Sequence, residues 1–300
     1  MRYLLCIIFI SIAVAMNIPV LALVLGIVFA LIKSQQNLIP PSLGTKLLQT
    51  GIIIIGFTIT SSTAINLISE FFLQVSLFVI VIFFVGILLA KIFKINNSLG
   101  LLISSGTAIC GATAIAAIAP IIKSKPKELL IALSIIFIFN AVAIVVFPLL
   151  GLSLEMSYEQ FGAWSSMAIH DTGSVIGAAM SYGGNSAEVA ATLKLGRTLW
   201  LVPLILVLGI FNNGNAKVKL PIFITIFILA ILMGSIFNIS NEILVLLNHF
   251  SDALIITALF CIGAQINFHF IKQTNLKVIS FAFVLWLFAL IFSYALLLML

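Results

Sequence analysis

The stretch that most constrains this chain is residues 98–127, an apolar segment of membrane length broken in its middle by small and polar residues. Ser104, Ser105, Gly106 and Thr107 are followed by Cys110, Gly111, Ala112 and Thr113, where an ordinary transmembrane helix would keep leucine and isoleucine. Small residues let the backbone open and let neighbours approach closely. Opened backbone at membrane depth survives only inside protein or along a watery cavity. A half-helix that begins there presents free N–H groups and the positive end of its dipole, which suits anions. The same residues would equally suit a packing seam between helices.

The membrane itself follows from composition: 63% of the 300 residues are hydrophobic and only 7% are charged. That balance excludes a soluble globular protein and predicts an all-α polytopic membrane protein. Loops too short for a folded domain make residues 1–300 a single transmembrane domain. The net charge of +6 comes from basic residues in short loops, where they orient helices, so nucleic acid is not an expected partner. Cys6, Cys110 and Cys261 lie in apolar runs as small hydrophobes, with no disulfide or metal pattern, and no cofactor is expected.

Arg2 and the run to Ala15 resemble a secretory signal, but the next apolar run follows so closely that a retained first span is the preferred reading. Further runs cover about 18–32, 46–60, 70–93, 98–122, 128–150, 160–180, 195–211, 219–237, 249–266 and 275–300. With Arg2 inside, Lys33, Lys46, Lys91 and Lys94 fall inside, and residues 61–69 form an outside loop without lysine or arginine. A simple crossing at 98–122 would put Lys123, Lys125 and Lys127 outside, against the positive-inside bias. A re-entrant dip removes that conflict and sends Glu155 and Glu159 outside. A second dip at 160–180 keeps Lys217, Lys219, Lys272 and Lys277 inside and leaves Lys194 as the misplaced charge. The resulting expectation is about nine spans plus two broken segments from opposite faces, with eleven crossings as the alternative.

A weak internal repeat accompanies this plan. The run at 51–60 resembles that at 258–267, with Gly56 falling on Gly263, and the preceding spans open near Pro19 and Pro221. Repeats of roughly 17–150 and 160–300, inverted in the bilayer and each with an interrupted helix, are the plan of secondary transporters.

The second broken segment holds the chain's one adjacent His–Asp pair, His170 and Asp171, followed by Thr172, Gly173 and Ser174. An intramembrane carboxylate marks a substrate path, a proton site or an ion pair. The alternative is an interfacial helix start with Asp171 as its N-cap. Gly183, Gly184 and Asn185 then break the chain. Arg197 either snorkels to the interface beside Trp200 or faces inward as a permanent cation near both breaks. Asn140, Gln265 and Asn267 read as interhelical glue.

The run SGTAICGATAIAAIAP at 105–120 resembles the signature of the YeiH-type family of proposed sulfate exporters. The His170–Asp171 pair, the run KLGRTLW at 194–200 and the glycine-ended run at 257–263 resemble its other marks, so the likeness covers nearly the whole chain. Gly173 and Ser174 depart from the bulkier residues expected after that pair. The resemblance implies an inverted-repeat fold with crossed, interrupted helices, and a multi-pass carrier of the bacterial inner membrane for sulfate or a related anion.

The residues expected to bind such an anion are Ser105, Gly106, Thr107, Cys110, Gly111, Thr113, His170, Asp171, Thr172, Gly173, Ser174 and Arg197. Two facing half-helix N-termini offer about +1 together, and Arg197 or a protonated His170 would add the second charge a dianion needs. The expected partners are the small anion and the lipid bilayer, with a homodimer open as the assembly. Asp171 keeps a sodium- or proton-coupled antiporter on the same fold as the nearest rival. An intramembrane enzyme using Cys110 or Ser174 with His170 lacks any supporting motif, so none of these residues is expected to be catalytic.

Overall fold

A computed structural model describes residues 2–32, 40–211, 222–237, 239–265 and 274–299. Lys33, Lys217, Lys219, Lys272, Pro221 and Asn267 lie outside the described residues. The described chain is helical throughout its regular structure. Five helices are long and apolar enough to cross a membrane: α4 (Ser61–Ile92), α7 (Pro126–Ser153), the pair α10 (Ser186–Thr198) and α11 (Leu201–Phe211), α13 (Asn241–Gly263) and α14 (Leu276–Leu297). Four shorter apolar helices, α1 (Arg2–Met16), α2 (Pro19–Ile32), α3 (Pro41–Gly56) and α12 (Ile222–Ile236), complete the frame.

Two expected boundaries move. Residues 61–69 are not a loop: Thr60 caps Thr63 N–H and starts α4 at Ser61. At 32 residues α4 runs for about 48 Å, longer than a hydrocarbon core. The helix that carries Arg197 begins nine residues before the apolar run at 195, just after the glycines at 183 and 184, whose φ values of 102° and 56° turn the chain. Lys194 is therefore a helical residue and not a loop charge.

Between the long helices the chain twice doubles back on itself. In the first reversal α5 (Asn97–Ala108) is followed, after a break at 109–111, by α6 (Ala112–Ile118). Gly106 faces Ile115 across the turn, and Ser98 at the start of α5 donates 2.8 Å to Glu128, which opens α7. In the second, α8 (Tyr158–Ala168) and α9 (Thr172–Tyr182) flank a break at 169–171. Here Tyr182 comes back to stack on Phe161, ring centroids 3.9 Å apart, and donates 2.5 Å to the Met156 carbonyl.

Helix α7 relates the two hairpins. Its first turn carries Glu128, at the base of the first hairpin. Near its far end Gly151 packs on Phe161 and Tyr182, at the base of the second. The hairpins thus open at opposite ends of one 28-residue helix. Their first arms, α5 of 12 residues and α8 of 11, reach about 16–18 Å, a little under half of its length.

A second group of helices backs this arrangement. α3 and α13 run antiparallel, with Gly44 on Cys261 and Gly51 on Ile255, and Ser251 donates 2.9 Å to the Gly51 carbonyl. Gly263 at the end of α13 packs on Leu23 and Gly26 of α2, and Gly56 at the end of α3 packs on Phe227 and Ala230 of α12. Without water to expel, such contacts hold by close packing, which absent side chains permit.

The hairpins generate an accessibility pattern. In a background without the three native cysteines, Asn97→Cys and Lys125→Cys are expected to react with an impermeant maleimide from one membrane face, and Glu159→Cys and Asn185→Cys from the other. Reaction of Asn97→Cys and Lys125→Cys from different faces would contradict the first reversal.

Candidate functional site

The two tips meet. Gly111 adopts φ 57°, and a Cβ on it would lie 3.1–3.3 Å from the Asp171 Cβ, Cα and N atoms. Glycine is required here twice, by the left-handed backbone and by the close approach. Asn140, at the centre of α7, pins the second tip: its amide donates 2.9 Å to Asp171 Oδ2, and its oxygen accepts the His170 N–H at 3.3 Å. Asp171 is the N-cap of α9, accepting from Gly173 N at 2.8 Å, Ser174 N at 3.4 Å and Ser174 Oγ at 2.5 Å. The capping role considered from sequence is present, but at the meeting of two hairpins halfway along a spanning helix and not at a helix end near the surface.

The opposite ends of the broken helices face two cations. Arg197 is fully buried (0% exposed), and its guanidinium donates to Ala108 O at 2.9 Å and Thr107 O at 2.6 Å, the last carbonyls of α5. It also donates to Ser166 O at 2.7 Å and to Met167 O, the last turn of α8. Lys194, one turn earlier and also 0% exposed, donates to Ser166 O at 3.2 Å and Ile169 O at 2.5 Å. These carbonyls carry the negative ends of two helix dipoles, so the cations satisfy hydrogen bonds and offset charge together. The Arg197 guanidinium also lies 4.8 Å from the centre of the Phe78 ring.

Of the residues expected at the site, Thr107, Cys110, Gly111, His170, Asp171, Gly173, Ser174 and Arg197 converge on this junction. Cys110 is buried within the break between α5 and α6, next to Gly111. Gly106 supports the turn from behind, against Ile115. Ser105 turns its hydroxyl back to Leu101 O at 2.7 Å, Thr113 is exposed on the outer face of α6, and Thr172 is half-buried beside Asp171. His170 is 1% exposed, and neither ring nitrogen has a hydrogen-bond partner.

Sequence reasoning missed Lys194 and gave Asn140 only a generic role. Both left a signal: Lys194 stands three residues before Arg197, on the same helical face, and Asn140 lies at the middle of an otherwise apolar helix. An apolar cavity of about 260 Å³ lies behind Arg197, between α4 and the α10–α11 junction, lined by Phe71, Phe72, Val75, Gly196 and Pro203 among others. Its walls are almost wholly hydrocarbon, with Arg197 as the charged member of the lining, whereas the polar side chains gather at the tips.

Removal of the guanidinium would strand the Thr107, Ala108 and Met167 carbonyls and leave Ser166 O to Lys194 alone. Arg197→Met is expected to destabilise the fold by at least ~3 kcal/mol, read as early thermal unfolding in detergent. Arg197→Lys should recover only part of the loss, because lysine lacks the planar fork that serves two helix ends at once.

Comparison with known proteins places the chain. A family profile described as Conserved hypothetical protein 698 matches residues 3–282. A UPF0324 membrane protein of Bacteroides thetaiotaomicron is 36% identical over 275 residues, covering 89% of this chain and 82% of that protein. One from Vibrio vulnificus is 37% identical over 275 residues, 88% of each chain, and one from Photobacterium profundum is 35% identical over 290 residues, 93% of this chain and 87% of its own. No solved structure matches the chain at significance. The chain belongs to the Conserved hypothetical protein 698 family, the YeiH-like group of multi-pass membrane proteins.

Proposed function

We propose that the protein is a secondary transporter of a small anion in the bacterial inner membrane, binding it where the two hairpin tips meet. One observation carries this reading: two buried cations, Lys194 and Arg197, and one carboxylate, Asp171, stand at the junction of two interrupted helices. Interrupted helices at mid-depth are how secondary carriers expose polar backbone to an ion. In this reading the hairpins are re-entrant, giving nine spans plus two hairpins. The repeat at Gly56 and Gly263 is the trace of two inverted halves, supported by their matching contacts with α12 and α2.

Orientation follows from charge. Lys91, Lys94, Lys123, Lys125 and Lys127 cluster where the first hairpin opens, and Glu155 and Glu159 where the second opens. The positive-inside bias puts the first opening in the cytoplasm. An inside-negative potential of about 100 mV then favours anion exit by roughly 2.3 kcal/mol per charge, so export needs no coupling ion. The family resemblance suggests sulfate or a related oxyanion. The relatives' names say membrane protein and nothing of cargo.

A sodium- or proton-coupled antiporter is the rival, and it rests on Asp171. Both oxygens of that carboxylate already accept bonds from Asn140, Gly173 and Ser174, so a cation would have to displace donors that fix the α9 N-terminus. No cluster of three or more metal-binding side chains occurs among the described residues. For an enzymatic role, the His170 ring bonds neither Cys110 nor Ser174.

Proteoliposome flux tests the reading. Gly111→Leu, which would drive the tips apart, and Gly106→Leu, which would push into Ile115, are each expected to cut anion flux at least ~10-fold while the protein still inserts. Unchanged anion flux in both variants would move the binding locus elsewhere. Asp171→Asn inactive together with sodium or proton flux and no anion flux would favour the antiporter.

A further inference from the structure

The charge gathered at the hairpin tips limits the cargo, and this step rests on the anion-carrier reading above. Arg197 contributes +1, but it is bonded to the C-terminal carbonyls of α5 and α8, whose two half-charges come to about −1. Lys194 contributes +1 and Asp171 contributes −1. The α9 N-terminus adds about +0.5, for a total near +0.5, and crediting the seven-residue α6 with a full helix end raises it only to about +1. If Lys194 gave up its proton, the total would fall further.

An imidazolium at His170 would leave two buried N–H donors without an acceptor next to the Lys194 ammonium, so burial favours the neutral ring, which supplies polarity without charge. The ring is 1% exposed, has no acceptor on either nitrogen, and follows directly on Ile169, whose carbonyl takes the Lys194 ammonium. A neutral imidazole has one N–H to donate. It is the one titratable side chain at the junction whose polar atoms are both buried and unpartnered among the described residues. Asp171, Asn140, Lys194 and Arg197 all have their bonds within the protein.

We infer that the site is built for a monovalent anion, with the buried His170 ring as its donor, and that a dianion such as sulfate is disfavoured. A monoanion brings the junction near neutrality, whereas a dianion leaves at least one uncompensated negative charge in a water-poor site. Burial of an unpaired charge is the most unfavourable outcome available there.

Perchlorate and sulfate form the decisive pair of probes, because both are tetrahedral oxyanions of similar size and differ in charge. Reconstituted full-length protein, with nitrate and formate as further monovalent probes, is expected to move perchlorate at least ~10-fold faster than sulfate. That is a floor for one unit charge a few ångströms away at protein-like dielectric. Asp171→Asn keeps a capping oxygen on α9 while raising the junction by one charge, and is expected to shift the perchlorate-to-sulfate ratio at least ~10-fold toward sulfate. His170→Ala should depress monovalent flux, with His170→Gln restoring part of it through its amide donor.

Sulfate flux equal to or above perchlorate flux in the unmodified protein would overturn the valence inference and leave the anion carrier standing. Sodium or proton flux without flux of any anion would overturn both. Inserted, monodisperse protein that moves none of these probes counts against both as well.

Discussion

The Arg197 guanidinium holds together two helix ends that have no other reason to meet. α5 and α8 come from hairpins that open at opposite ends of α7, and each stops partway along that helix with its last carbonyls lacking intrahelical partners. Such groups have no water to turn to in hydrocarbon, and each would cost several kcal/mol if left unbonded. A planar fork with five donors is suited to serve both ends at once. It reaches Thr107 and Ala108 on one side and Ser166 and Met167 on the other. Lys194 completes the α8 end at Ile169. Burial of two cations this close is tolerable because every recorded bond they make ends on the negative pole of a helix.

This dependence makes α10 and the hairpins one mechanical unit. α7 joins it through Asn140, which holds the backbone of His170 and the carboxylate of Asp171. The contacts from this unit to α3 and α13 have a different character. Gly173 rests against Leu48 and Ile262, Gly177 against Leu259, and the polar tie is a Thr58–Glu188 hydrogen bond of 3.0 Å. Apolar side chains on glycine slide more readily than a network of charged hydrogen bonds breaks. The fold therefore pairs a rigid, polar-pinned group with a glycine-packed backing group, joined mostly by hydrocarbon contact.

The sequence made some of this legible and hid the rest for physical reasons. Small residues at 104–113 and the His170–Asp171 pair are costly at membrane depth unless the backbone opens, so both breaks could be read directly. Lysines 123, 125 and 127 favoured a first reversal over a simple crossing, with eleven crossings left as the alternative. Lys194 was misread because its helix is polar at its start, with Ser186, Glu188 and Thr192, so an apolar-run boundary falls too late. The 61–69 segment misled in the same way: Ser62, Thr63, Asn66 and Ser69 look like a loop, yet Thr60 caps a helix that projects past the core. The partners of Arg197 could not be read at all. They are backbone carbonyls, which every residue possesses, so no side-chain pattern marks them.

The same reasoning distinguishes architecture from binding at the junction. Opening two helices in hydrocarbon leaves a short list of polar groups, and the recorded bonds absorb most of it. The α5 and α8 carbonyls go to Arg197 and Lys194, the first N–H groups of α9 go to Asp171, and Asp171 itself is held by Asn140 and Ser174. A packing seam would leave nothing over, because each unbonded polar atom would weaken it. Here one side chain is left over, and it stands where the two hairpins touch: the His170 ring, buried with both nitrogens unpartnered. Polar groups bonded within the scaffold and one unused imidazole beside them are the arrangement on which the proposed anion site rests: the scaffold can keep its shape while a single donor remains available.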